Sequence, residues 1–168
     1  MSVIIREATT HDLDDLATLL VDFNAVHARG LPHIYQPVVA DAETTDYLRR
    51  VMAAAETHLF VADVAGQVVG MLILQREHVP RTPVHVPRQW AIIHVLVVRE
   101  AYRRRGIGEA LLHHAHAWAS EQGIEAVELM VAEFNTAAIE CYEKLGYTTR
   151  ERRMAWSPGD RTRERRLD

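Results

Sequence analysis

The sequence predicts one α/β domain, a mixed sheet flanked by helices in the order βααβββαβαβ. Strand and helix patterns alternate in the second half of the chain, after a hairpin in the first half. The run Ala91–Val98 is apolar with one polar interruption, His94, which suits a central strand covered on both faces. The length of 168 residues leaves room for a single core.

Each element has its own local cause. Val3–Arg6 forms a short apolar strand. Thr9-Thr10-His-Asp-Leu offers a helix cap, and Leu13, Leu16, Leu19, Leu20 and Phe23 then recur at helical spacing. Gly30, Pro32 and Pro37 make residues 29–42 a loop. A second helix is expected from Glu43 to Ala55, with Tyr47, Leu48 and Val51 on its buried face. Leu59–Val64, the turn Ala65-Gly66-Gln67 and Val68–Gln75 read as a hairpin. Pro80, Pro83 and Pro87 mark residues 77–89 as a loop. After the central strand, Ile107, Ala110, Leu111, Ala115, Trp118 and Ala119 form a helical stripe that Gly123 ends. Ala126–Val131 is the next strand, Asn135–Leu145 a helix stopped by Gly146, and Tyr147–Trp156 a last strand. One domain is expected over residues 1–156, with a flexible arginine-rich tail over 157–168.

Composition excludes several functions. Apolar residues make up 48% and charged residues 25%, so global disorder is excluded. The lone cysteine, Cys141, excludes a disulfide framework and any multi-cysteine metal site. The start, Met1-Ser-Val-Ile-Ile-Arg-Glu, has neither the basic beginning nor the apolar stretch of a signal peptide, and no run has the ~20 apolar residues of a membrane span. A soluble, cytoplasmic protein with no membrane partner is expected. The net charge is −4, yet residues 150–168 hold seven arginines against four acids. In the acidic remainder, Arg99, Arg103, Arg104 and Arg105 form one concentrated positive spot. That argues against nucleic-acid binding, which needs a broad basic face, and for one polyanionic small ligand.

The positive spot contains the most informative motif, Arg103-Arg-Arg-Gly106-Ile-Gly108, between a strand and a helix. Glycines let backbone approach a ligand. The unpaired amides and dipole of the helix start favour an anion there. A dinucleotide fingerprint would need a small residue where Leu111 stands, and a Walker A loop would need Gly-Lys-Ser/Thr; both are absent. The spacing Arg-x-x-Gly-x-Gly instead resembles the acyl-CoA signature of the GNAT acetyltransferase superfamily. The resemblance includes Tyr102-Arg103 and a second block, Asn135-Thr-Ala-Ala138-Ile-Glu-Cys-Tyr142-Glu-Lys-Leu-Gly146-Tyr147.

The resemblance implies a sheet splayed between its fourth and fifth strands, with acetyl-CoA as acyl donor in the gap. It implies pyrophosphate binding at Arg103, Arg104, Arg105, Gly106, Ile107, Gly108 and Glu109. It implies strand-like pairing of the pantetheine with Leu96, Val97 and Val98. Asn135, Ala138 and Tyr142 would line the other wall. The implied reaction is direct transfer of acetyl to a primary amine in a ternary complex, with a silent acyl-CoA sensor or scaffold as the alternative. A homodimer through the last strand is compatible with the family.

By the same likeness, Tyr142 donates to the departing sulfur; otherwise its ring is core and its hydroxyl only bonds the cofactor. A glutamate that some members carry falls at Met130 here, which leaves His94 as candidate base. The alternative is a core histidine tied to a backbone carbonyl. His27, His33, Tyr35, Glu77, His78 and Trp90 are acceptor-pocket candidates, each also compatible with a structural role. No metal is expected, because His113, His114 and His116 read as a solvated helix face. Cys141 reads as a buried small hydrophobe rather than an acyl-cysteine site.

Overall fold

The structure, a computed structural model, describes residues 2–156. The segment 157–168, where a tail is expected, lies outside the described residues. Strands β1 (Ile4–Glu7), β2 (Thr57–Val64), β3 (Gln67–Val79), β4 (Arg88–Val98) and β5 (Val127–Leu129) form one sheet in that order. Neighbours from β1 to β4 are antiparallel, and β5 runs parallel to β4. Helices α1 (Leu13–Gly30) and α2 (Ala42–Ala53) pack on one face. Helices α3 (Ile107–Glu121) and α4 (Thr136–Lys144) pack on the other.

Each face has its own core. Beneath α1 and α2, Leu16, Leu19, Leu48, Val61, Val68 and Met71 are buried together. Beneath α3, Leu72, Leu74, Ile107, Leu111, Leu112 and Ala115 are. Burying a leucine of this kind contributes about 2 kcal/mol.

Four expected elements differ. The Pro80, Pro83 and Pro87 segment is a loop, but β3 runs to Val79 and β4 starts at Arg88, so it spans only 80–87. The expected strand 126–131 is paired only over Val127–Leu129, and 147–156 forms no strand. Its polar residues are tied by side chains instead: Arg150 bonds Glu128 at 2.8 Å and Arg152 lies 3.3 Å from Glu133. On α2, Tyr47 faces outward at 44% exposure, and Thr44 and Leu48 are the buried pair.

The middle of β4 carries a β-bulge. Ile73 pairs with Val95 and Leu74 with Ile93, so His94 is an extra residue with no partner in the ladder. A one-residue shift exchanges the faces of a strand. Ala91 and Ile93 therefore pack beneath α3, whereas Val95 and Val97 pack beneath α1. This explains the apolar run that one polar residue interrupts.

The first helix is fixed by a part-buried ion pair at the edge of the sheet. Asp12, 7% exposed, accepts both Arg6 guanidinium nitrogens (2.8 and 2.9 Å) and the Thr9 N–H at 2.7 Å. Arg6 also reaches Asp63 at 3.1 Å. The Arg6 hydrogen bond holds the Asp12 carboxyl down at about 2. Its folded value is depressed, so its stabilisation is complete above pH 4 and is lost as pH falls through about 2. Asp12→Asn is expected to cost about 2 kcal/mol at pH 7 and much less near pH 2. Thermal melts of both proteins across that range would show the difference closing; a constant gap contradicts the assignment.

Candidate active site

Pairing of β4 with β5 covers Ala91–Val127, Ile92–Glu128 and Ile93–Leu129, and stops there. From His94 onward β4 keeps only β3 as a neighbour among the described residues. The Arg99 N–H donates to Val69 O at 2.8 Å. By the alternation of an antiparallel ladder, Val95 and Val97 also turn their backbone groups toward β3. Leu96 and Val98 turn theirs into the gap that opens where β5 ends. Of the three residues expected to present backbone there, Val97 is thus the exception. The Val98 carbonyl accepts from Arg103 Nε at 2.9 Å.

Beyond β4 the chain makes a 3-10 turn, Glu100–Tyr102, and enters the arginine segment. Its entry is pinned by Arg99, which donates to Val68 O at 3.0 Å and pairs with Asp15 on α1 at 2.5 Å. Arg104 (φ 60°) and Gly106 (φ 78°) are both left-handed. For Arg104 this conformation costs about 1 kcal/mol. At Gly106 a Cβ would meet nothing within 4 Å, so the backbone angle, not lack of space, calls for glycine.

Helix α3 starts immediately after. Its first internal bond is Ala110 N–H to Gly106 O at 2.9 Å, and no side chain caps this end. The N–H groups of Gly106, Ile107, Gly108 and Glu109 therefore precede the ladder, at the positive end of the helix dipole. Such a helix start suits an anion. The neighbouring arginine side chains serve local structure as well: Arg103 holds Val98 O, and the Arg105 guanidinium lies 5.5 Å from the Tyr102 ring centre.

The second block forms α4. Asn135 precedes it, and its carbonyl accepts from Ala138 and Ile139, both at 3.1 Å. The Tyr142 ring packs against the α3-side core, 5.7 Å from the Tyr147 ring. Burial pushes the Tyr142 phenol up to about 12, with Cys141 adding to the shift. Its hydroxyl has no hydrogen-bond partner among the described residues. Tyr147, raised further by burial and by Tyr142, shares a 2.7 Å hydrogen bond with His116 Nε2. Burial, and secondarily His113, lowers the His116 pKa. The expected solvated histidine face is therefore true of His113 only: His116 is half-buried on Tyr147, and His114 packs edge-on against Phe60 at 4.6 Å. Cys141 is half-buried, not buried. No cluster of metal-ligand residues occurs among the described residues.

His94 is exposed, not a core histidine. Its Nε2–H donates to Gln75 Oε1 at 2.9 Å, not to a backbone carbonyl. The acceptor candidates separate into two groups. His27 bonds Phe23 O at 3.0 Å and packs 5.2 Å from the Tyr35 ring, at the end of α1, with His33 exposed between them in sequence. Glu77, His78 and Trp90 lie instead at the hairpin end of β3 and β4, the opposite end of β4 from the start of α3. Arg88 stacks over Trp90 at 4.3 Å and pairs with Glu128.

Two features have no sequence signal. Phe134, before α4, lies on Gly30 so closely that a Cβ there would sit 2.2 Å from the ring. The ring joins the end of α1 to the start of α4, which neither residue announces in sequence. A cavity of about 570 Å³ lies between α1 and the turn after β4, lined by Asp22, Asn24, Arg29, Pro37, Glu100 and Arg103. The Asn24 Oδ1 is buried without a partner among the described residues. Both Asp22 and Asn24 read in sequence as polar helix positions and no more.

The model of the Acetyltransferase (GNAT) family matches residues 24–147. The chain belongs to the GNAT acetyltransferase family. An uncharacterised N-acetyltransferase of Methanocaldococcus jannaschii is 34% identical over 152 residues, which cover 90% of this chain and 63% of that protein. The chain thus spans less than two thirds of that relative's length. Two solved structures share the GNAT fold. A Bacillus halodurans protein, solved as a tetramutant, has a TM-score of 0.84 at 23% identity, covering 92% of this chain and 99% of that one. AAC(6')-Iy, in complex with a CoA-linked bisubstrate analogue, has a TM-score of 0.74 at 16% identity, covering 94% and 98%.

Proposed function

We propose that this GNAT protein transfers an acetyl group from acetyl-CoA to a primary amine by direct attack in a ternary complex. The observation that carries the proposal is the continuity of the cradle with the open edge of β4. Unpaired amides of Gly106–Glu109 suit a pyrophosphate, and the amides of Leu96 and Val98 suit an extended pantetheine leading inward. A CoA-linked analogue bound by AAC(6')-Iy, of the same fold, supports this. When bound, acetyl-CoA supplies the activated acetyl group; every other part falls to side chains of the protein.

A lysine-like amine has a pKa of about 10.4 and must lose a proton before it attacks. His94, exposed on β4 where β5 ends, takes that proton. Tyr142 donates a hydrogen bond to the departing sulfur. Its pKa of about 12 keeps the phenol protonated throughout the working range. A thiol leaving group near ~8.5 is the stronger acid, so Tyr142 stabilises the thiolate rather than surrendering its proton outright. The acceptor approaches from the α1 face, the side on which His94 bonds Gln75, past His27, Tyr35 and Phe134.

The test is thiol release from acetyl-CoA with a panel of diamines, amino acids, aminoglycosides and lysine peptides. Turnover with one class supports the proposal. Tight CoA binding with no turnover on any amine points instead to a silent acyl-CoA-binding module. His94→Ala is expected to lower kcat about tenfold near pH 6.5, with the deficit shrinking as pH approaches the amine's own pKa and the KM for acetyl-CoA unchanged. An unchanged pH–rate profile removes His94 from the mechanism.

A further inference from the structure

We propose that Gln75 is a positioning residue that fixes the tautomer of His94 and leaves Nδ1 as its basic nitrogen. This rests on His94 acting as the base. The two residues meet because of the bulge. Gln75 lies opposite Ile92, and the extra residue at 94 turns onto the same face, where the bond to Gln75 Oε1 forms at 2.9 Å. An amide oxygen carries no hydrogen, so Nε2 holds the ring proton and Nδ1 keeps its lone pair.

The proton balance follows. The N–H bond of the acceptor ammonium breaks and an N–H bond forms at Nδ1. The nitrogen lone pair thus released attacks the acetyl carbonyl to form the C–N bond. As the tetrahedral adduct collapses the C–S bond breaks and CoA leaves as the thiolate. The second N–H proton passes to that sulfur through solvent. The imidazolium keeps its Nε2–H on Gln75, so the ring does not turn as it gains charge. Nδ1 then returns its proton to solvent.

The charged neighbours do not compete for this role. On β3, Arg76 is tied to Gln89 at 2.7 Å, and Glu77 lies two positions from Gln75, opposite Trp90. On β4 and β5, Arg88 and Glu128 pair with each other, with Arg150 added at 2.8 Å. On α1, Asp22 and Arg29 line the cavity toward Glu100, and His27 bonds Phe23 O. Among the described residues, only Gln75 hydrogen-bonds the His94 ring.

The test uses the full chain, with pH–rate profiles of acetyl transfer and nitrogen-15 spectra of the histidine rings. In Gln75→Glu the carboxylate stabilises the imidazolium, so the acidic limb of kcat is expected to move up by about one pH unit. Gln75→Leu removes the acceptor without adding charge. It is expected to lower kcat about tenfold near neutrality, with the KM for acetyl-CoA unchanged, and to broaden the His94 signals from one tautomer to a mixture. If both variants keep the wild-type profile and the wild-type His94 spectrum while His94→Ala alters the profile, Gln75 has no positioning role. If His94→Ala leaves the profile unchanged, the assignment of the base itself fails. Gln75→Glu is isosteric, so the question stays answerable even if Gln75→Leu folds poorly.

Discussion

Tyr142→Phe is expected to reduce kcat about a hundredfold and to leave the KM for acetyl-CoA within a factor of two. The substitution keeps the ring that packs on the α3-side core and removes one hydroxyl. That hydroxyl has no hydrogen-bond partner among the described residues, so the free protein loses no bond and its stability is expected to stay close to wild type. On the proposed mechanism, what is lost is the hydrogen-bond donor to the departing sulfur, the kind of contact that counts for about 10² in rate. The pKa of about 12 adds a second expectation. Between pH 6 and 9 the phenol stays protonated, so any alkaline fall in kcat over that range persists in Tyr142→Phe. Steady-state thiol release at saturating amine measures both. A kcat within threefold of wild type would remove the hydroxyl from the reaction.

Gly106→Val is expected to raise the KM for acetyl-CoA at least thirtyfold, with a smaller effect on kcat. The residue stands at φ 78°, where a β-branched side chain is a severe outlier. Relief of that strain rotates the peptide entering α3 and misaligns the amides of Gly106, Ile107 and Gly108. Gly106→Ala is the graded control. Its Cβ would meet nothing within 4 Å, so only the backbone angle resists it, at about 1–2 kcal/mol. An intermediate loss of CoA affinity, about tenfold by calorimetry, is expected. Equal affinity in all three proteins would show that the cradle does not hold the diphosphate.

The second half of the fold is legible in sequence because its signals are local. Ile107, Leu111, Ala115 and Ala119 form the buried stripe of α3 as their spacing predicts. The glycine turn at 106, the helix after Asn135 and its stop at Gly146 all follow from residue type. Non-local causes are not legible. Pro80 and Pro87 mark a loop, but only pairing with the partner strand decides that β3 reaches Val79 and β4 begins at Arg88. Tyr147–Trp156 reads as a last strand, yet it pairs with no neighbouring strand among the described residues, and Arg150 and Arg152 lie against Glu128 and Glu133. His116 has the exposed spacing of a helix surface and is half-covered because Tyr147, thirty-one positions away, reaches it. The likeness to a family implied a cradle over Arg103–Glu109 without its geometry. It could not tell which of Leu96, Val97 and Val98 face the gap, because that depends on the ladder parity set at His94.

The doubled position at His94 also bears on how the gene can change. On either side of it the same strand obeys opposite rules for which alternate residues are apolar. Loss of the codon for His94 alone would close the bulge and leave both faces as they are, because Ile93 and Val95 already sit opposite the consecutive residues Leu74 and Ile73. Val95 and Val97 would stay beneath α1, Leu96 and Val98 would stay on the α3 side, and only the imidazole would go. An alignment gap of one residue here would therefore signify the same groove without its histidine.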